Sequence, residues 1–223
     1  MDFDEIRRRL SRLDTACVCD GYKALERSVR AVDPAIRPVT SGLRLIGRAH
    51  TLTCHEDFLT VIVALRDALP GEVLVIDSQG SRKALTGELF PTEARRKGLA
   101  GIVNDGPCRD TAAIRQQQLP YYARSVNPVA GATDRIFETQ VPVSCGGVTV
   151  HPGEIVFGDD DGLIVAAEDE IAEVIPVAEE VQRKEARLLA EMDKGVSLVE
   201  MLNLDEHCGK IRAGQESKLK FLV

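Results

Sequence analysis

The middle third of the chain alternates short, wholly apolar runs with helical patterns, and this restricts the fold more than any other feature. EVLVID (72–77) has no polar alternation, as expected of a strand buried on both faces. The segment after Gly87 has helical character until Gly98, a stop signal. A second buried strand follows at Ala100 to Val103, then a helix from Asp110 to about Gln118 and a strand at Tyr121 to Ala123. Strand and helix alternating in this way predict a parallel βαβ arrangement.

The flanks complete a single domain. Phe3, Ile6, Leu10 and Leu13 recur at helical spacing, predicting an amphipathic helix over 4–13. Asp14 or Thr15 caps a second helix to about Leu25. A loop from Asp33 to Gly42 leads into a strand in LRLIGRAHTLTC, and 57–69 reads as a helix begun by Asp57 and stopped at Pro70-Gly71. From Val141 the short runs of VPVSCGGVTVHPGEIVFGDDDGLIVA predict antiparallel strands, with Asp159-Asp160-Asp161-Gly162 as a hairpin turn. The tail from Glu168 is helical, with Ile171, Val174, Ile175, Ala178, Val181, Leu188, Leu189 and Met192 on one stripe and Pro176 expected to kink or restart it. That stripe is wider than a solvated helix needs, so docking on a neighbouring subunit is expected.

Composition removes several function classes. In 223 residues, 28 Lys+Arg face 35 Asp+Glu for a net charge of −7, against the basic footprint of a nucleic-acid binder. No apolar run reaches the length of a membrane span, and MDFDEIRRRL is a charged amphipathic start unlike a signal peptide. The six cysteines show no Cys-x-x-Cys pair, so reduced thiols and a cytoplasmic setting are expected. The four histidines form no zinc-hydrolase pattern. There is no Gly-x-Ser-x-Gly elbow and no phosphate-binding loop, and Gly98-x-x-Gly101 precedes a strand where a dinucleotide fingerprint would follow one.

Chemistry concentrates in KGLAGIVNDGPCRD (97–110). The buried strand is expected to enter a tight Asn-Asp-Gly-Pro turn that presents Arg109 and Asp110 side by side, with Cys108 read first as a small turn residue and second as a thiol activated by the neighbouring cation. A carboxylate can hold a hard divalent cation, and a guanidinium can hold an anionic substrate. GELFPTE (87–93) opens a helix whose first amides can bind a carboxylate, with Glu88 at its start. In a βα unit a helix start and the end of the next strand share one sheet edge. Glu88, Arg109 and Asp110 can therefore converge in a way that suits a metal-bound keto acid.

These blocks, together with LSRLDTACVCDGYKAL, SGLRLIGRAHTLT, GEVLVIDSQGS and HPGEIVFGDDDGLIVA, make the chain resemble the RraA-like proteins. These include class II pyruvate aldolases acting on 4-hydroxy-4-methyl-2-oxoglutarate and 4-carboxy-4-hydroxy-2-oxoadipate. The resemblance implies a swivelling β/β/α-type α/β domain over 1–167 with a helical extension over 168–223, assembled as a trimer or hexamer. It implies a Mg²⁺- or Mn²⁺-dependent lyase that releases pyruvate from a 4-hydroxy-2-oxo acid and also decarboxylates oxaloacetate. By position, Asp110 would ligate the metal directly and Glu88 through water. Arg109 would contact the keto and enolate oxygens, and the amides around Gly87, Leu89 and Phe90 would hold the pyruvyl carboxylate. Glu185 would come from the C-terminal helix of a neighbouring subunit as a further acidic group. Two positions depart from the aldolase pattern: Glu88 stands where Asp is usual, and Ala113 where an acidic residue is usual. The resemblance also offers a second role, as a regulator that binds an RNA-degrading endonuclease over a vestigial site. A third is a lyase for another oxo acid.

Overall fold

A computed structural model describes residues 1–222. Two helices open the chain, α1 (Phe3–Leu10) and α2 (Thr15–Ala24), and Asp2 and Asp14 cap them by accepting the amides of Glu5 and Cys17. Two short strands follow, β1 (Arg30–Ala31) and β2 (Arg37–Pro38). The predicted βα alternation then appears as β3 (Leu45–Thr53), α3 (Leu59–Asp67), β4 (Glu72–Asp77), α4 (Leu89–Arg96), β5 (Gly101–Cys108), α5 (Thr111–Ile114) and β6 (Tyr121–Val126). Next come the hairpin β7 (Val143–Cys145) and β8 (Val148–Val150), the pair β9 (Ile155–Gly158) and β10 (Leu163–Ala166), and helices α6 (Glu168–Asp193) and α7 (Leu204–Arg212).

Eight strands form one sheet in the order β1-β10-β9-β3-β4-β5-β6-β2, with β3 to β6 parallel and β9 and β10 antiparallel. β1 and β2 lie at opposite ends of that order, yet only residues 32–36 separate them. Such a stretch spans at most about 20 Å, so the two edges must approach each other and the sheet curls. Tyr122 on β6 donates to Asp159 O beyond β9 at 2.9 Å, across the curl.

Three apolar layers follow from this shape. Leu45, Ala49, Val73, Val75, Val103, Tyr122, Val156 and Val165 fill the inside of the curl. α3 and α4 cover one outer face, over Leu52, Leu74, Ile76 and Ile102. α1, α2 and α6 cover β9 and β10, where Ile171, Val174, Ile175 and Ala178 of α6 are fully buried. Five of the eight residues of the predicted tail stripe, Leu188 included, are thus buried on their own chain, while Leu189 and Met192 stay exposed. Pro176 neither breaks nor restarts α6. It lies on the exposed side, where water can serve the carbonyl its missing N–H leaves free.

Two local expectations change. The predicted Asn-Asp-Gly-Pro turn is instead strand: β5 runs on to Cys108, which is the buried end of the strand and not a turn residue. Its register with β6 shifts between Asn104 and Pro107, so β5 holds one extra residue as a bulge. The predicted helix 110–118 shrinks to the single turn of α5. Among the described residues, no helix is long and apolar enough to cross a membrane.

Candidate active site at the C-terminal edge of the parallel strands

Each of the three central parallel strands ends in a residue with left-handed backbone. These are Glu56 after β3 (φ 54°), Gln79 after β4 (φ 50°) and Asp110 after β5 (φ 58°). Non-glycine residues adopt this conformation at a cost and gather where surrounding structure enforces it. Open α/β sheets also bind ligands at this edge.

The 84–87 segment runs beside the end of β5. Leu85 N donates to Pro107 O at 3.3 Å, Thr86 bridges Cys108, and Arg109 N donates to Thr86 O at 3.0 Å. The next residue, Gly87, packs directly on the pair. A Cβ there would lie 2.4 Å from Asp110 Oδ2 and 3.1 Å from Arg109 Cγ, so any other residue would push these side chains from their present positions. Glu88 N then donates to Asp110 Oδ2 at 3.3 Å, and Arg109 Nε lies 3.5 Å from the same oxygen.

The Glu88 backbone amide, Arg109 and Asp110 therefore lie together within one chain; the contact is made by the amide of Glu88 and not by its carboxylate. The Arg109 and Asp110 side chains are 43% and 40% exposed, so both still face solvent. Of the predicted amides, Phe90 N donates to Gly87 O at 3.2 Å and is occupied. Leu89 N, in the first helical turn, has no carbonyl four residues back to serve it. The Phe90 ring stacks edge-on against Phe58 at 5.9 Å, fixing α4 to the start of α3, while the Leu89 side chain is 74% exposed at the rim.

Glu185 lies elsewhere. It sits on α6, accepts the Cys17 thiol at 3.3 Å, and lines a groove with Asp20, Lys23 and Phe221. Among the described residues, no three His, Cys, Asp or Glu side chains cluster as a metal cage. Cys108 is fully buried, and burial pushes its thiol up, which removes it as a nucleophile.

Two clefts flank this arrangement. One of about 350 Å³ opens on the same edge, lined by Asp77, Ser78, Asp105 and Arg124, where Arg124 Nη1 also pairs with Asp33 at 3.1 Å. A larger one, about 610 Å³, lies at the opposite edge between Arg7, Arg44, Pro120 and Asp160. There Asp160 accepts Gly42 N at 2.9 Å and Arg44 donates to Ser11 O at 2.6 Å, so those groups already have partners.

Sequence reasoning overlooked the polar network beneath the pair. Asn104 is completely buried and donates through Nδ2 to Thr86 Oγ1 at 3.1 Å and to Pro107 O at 3.0 Å. Thr86 Oγ1 is also bonded to the Tyr121 hydroxyl. The available signal was an amide side chain ending the apolar run of AGIVN.

Comparison with known proteins decides the family, because the model described as "RraA-like: Aldolase/RraA" matches residues 15–165. The chain belongs to the RraA-like family. It is 31% identical over 172 residues to a Halalkalibacterium halodurans protein provisionally named a 4-hydroxy-4-methyl-2-oxoglutarate aldolase, covering 76% of this chain and 80% of that one. A protein of the same provisional name from Ectopseudomonas mendocina is 37% identical, covering 68% of this chain and 93% of that one. Among solved structures, a Streptomyces coelicolor protein described as an unusual member of the RNase ES inhibitor RraA family shares 30% identity. It superposes with a TM-score of 0.71 over 82% of this chain and 94% of that one. The family match ends just before α6.

Proposed function

We propose that this RraA-like chain is a divalent-metal-dependent lyase that cleaves a 4-hydroxy-2-oxo acid to pyruvate and also decarboxylates oxaloacetate. One observation carries the reading: a single aspartate oxygen, Asp110 Oδ2, lies within 3.5 Å of both the Glu88 amide and the Arg109 guanidinium at an exposed strand end. Relatives named as aldolases support it.

The donor set fits a hard cation. Mg²⁺ is usually held by one or two carboxylates and completed by water and substrate oxygens. Asp110 would hold the ion directly and Glu88 through water, with Glu185 of a neighbouring subunit as a further acidic group. When bound, the cation supplies Lewis acidity to the carboxylate and keto oxygens of the oxo acid. The Leu89 amide at the head of α4 would receive the pyruvyl carboxylate. As the 4-hydroxyl gives up its proton to water and becomes a carbonyl, the C3–C4 bond pair passes to the pyruvate fragment. The forked donors of Arg109 stabilise the charge on its enolate oxygen, and C3 then takes up a proton to release pyruvate.

The test is a screen of 4-hydroxy-2-oxo acids and oxaloacetate with Mg²⁺ or Mn²⁺, following pyruvate release. Turnover that EDTA abolishes is the expected result; turnover indifferent to EDTA, or none on any substrate, overturns the reading. The similarity to the RNase ES inhibitor family favours a protein-binding regulator as the second reading. Absent turnover together with inhibition of an RNA-degrading endonuclease would establish it.

A further inference from the structure

Asn104 and His50 are the two described residues that carry a buried side-chain polar atom without a hydrogen-bond partner, and only Asn104 lies on β5 next to the candidate site. It is fully buried on β5, beside the apolar layer that contains Ile102 and Tyr121, and its Oδ1 has no hydrogen-bond partner among the described residues. A buried, partly unsatisfied amide is unfavourable, so its position calls for a compensating role.

Its two donated bonds suggest one. The bond to Pro107 O spans the bulge from inside, joining residues 104 and 107 across the extra residue. The bond to Thr86 Oγ1 ties that bulge to the neighbouring segment. Thr86 in turn accepts Arg109 N through its own carbonyl, and Gly87 follows it against Asp110. The bulge is closed on its other side by Gly106, where a Cβ would lie 2.6 Å from Ser78 Cβ and 3.2 Å from Asn104 Oδ1.

We propose that Asn104 is a positioning residue that sets the register between the β5 bulge and the 84–87 segment, and through it the placement of Arg109 and Asp110. The inference rests on the lyase reading for its kinetic consequence, though not for its structural one. A donor displaced by a fraction of its contact distance no longer meets the developing charge, while the substrate's other contacts persist. The signature is therefore a loss in kcat with KM little changed.

Asn104→Leu removes both bonds at similar volume. Thr86→Val removes one of them and serves if the first variant fails to fold. Ile102→Val, on the same strand and core face but without polar contacts, controls for simple destabilisation. Expected for Asn104→Leu is a fall in kcat of at least about tenfold with KM within about threefold, and a smaller fall of the same kind for Thr86→Val. Hydrogen–deuterium exchange should quicken only in 84–90 and 105–112. Ile102→Val should show neither change. If Asn104→Leu and Thr86→Val alter only the global unfolding midpoint, with local exchange and turnover per folded molecule matching Ile102→Val, the proposal is wrong. If the wild-type protein has no lyase activity, the exchange pattern alone still decides the role of Asn104, and the lyase reading fails separately.

Discussion

Two aspartates end strands at opposite edges of the same sheet, and their surroundings differ in kind. Asp159, after β9, accepts Thr15 N at 2.8 Å, Thr15 Oγ1 at 2.7 Å and Asp161 N at 3.1 Å, so both of its oxygens are held. It locks the β9–β10 turn to the head of α2, where negative charge is favoured. Asp110, after β5, has one weak amide contact at 3.3 Å and a guanidinium at 3.5 Å. Its backbone is left-handed, and two-fifths of its side chain faces solvent. A carboxylate whose lone pairs are filled by amides stabilises structure. One placed at a constrained backbone position with lone pairs open is suited to a ligand.

The largest effect should come from breaking the open member. Asp110→Asn should lower pyruvate release about a thousandfold, since several kcal/mol of charge stabilisation depend on the ligand it provides. Its thermal midpoint should stay near wild type. Arg109→Ala should follow with a loss of at least about two orders of magnitude, from about 3–4 kcal/mol. Arg109→Lys should also be poor, because a point charge cannot replace the planar fork. Near-normal turnover in any of these variants would remove the distinction between the two aspartates.

The filled member should behave in the opposite way. Asp159→Ala should cost about 2 kcal/mol of stability by denaturant unfolding, while turnover per folded molecule is retained. A third carboxylate sharpens the comparison through pH. Burial alone would push the Asp57 carboxyl up, but the amides of Leu59, Asp134 and Arg135 outweigh it and hold it below the usual carboxylate range. Its stabilising contribution is complete above its unfolded pKa of about 4 and disappears as pH falls through the lower folded value. Asp57→Asn should therefore flatten the dependence of the unfolding midpoint on pH below about 4. The smallest effect concerns Cys108: iodoacetamide applied to the native protein should leave it unmodified, as checked by mass spectrometry of the 101–115 region.

Much of this was legible in the sequence where pattern and chemistry are local. EVLVID is β4 residue for residue, Asp14 caps α2, and the Asp-rich turn joins β9 to β10 as its composition demands. That the head of α4 lies near Arg109 and Asp110 was legible too, because βα topology puts a helix start and the next strand's end on one edge, although Glu88 reaches Asp110 through its backbone amide and not its carboxylate. The bulge was not. Asn-Asp-Gly-Pro has turn chemistry, but β6 on one side and the 84–86 segment on the other offer enough partners to keep it extended. The same limit applies to α6: its stripe is visible in sequence, but only packing shows that Ile171, Val174, Ile175 and Ala178 lie against α1, α2, β9 and β10.

By itself the sequence determined the strand and helix periods, the caps and turns, and which residues carry charge near which element ends, since all of these depend on neighbours a few positions apart. Tertiary structure alone decided that the sheet curls, that Asn104 is buried against Thr86 and Pro107, and that Asp110 remains open while Asp159 is filled. These outcomes depend on which distant backbone amides reach a given side chain, as Thr15 reaches Asp159 across 144 positions.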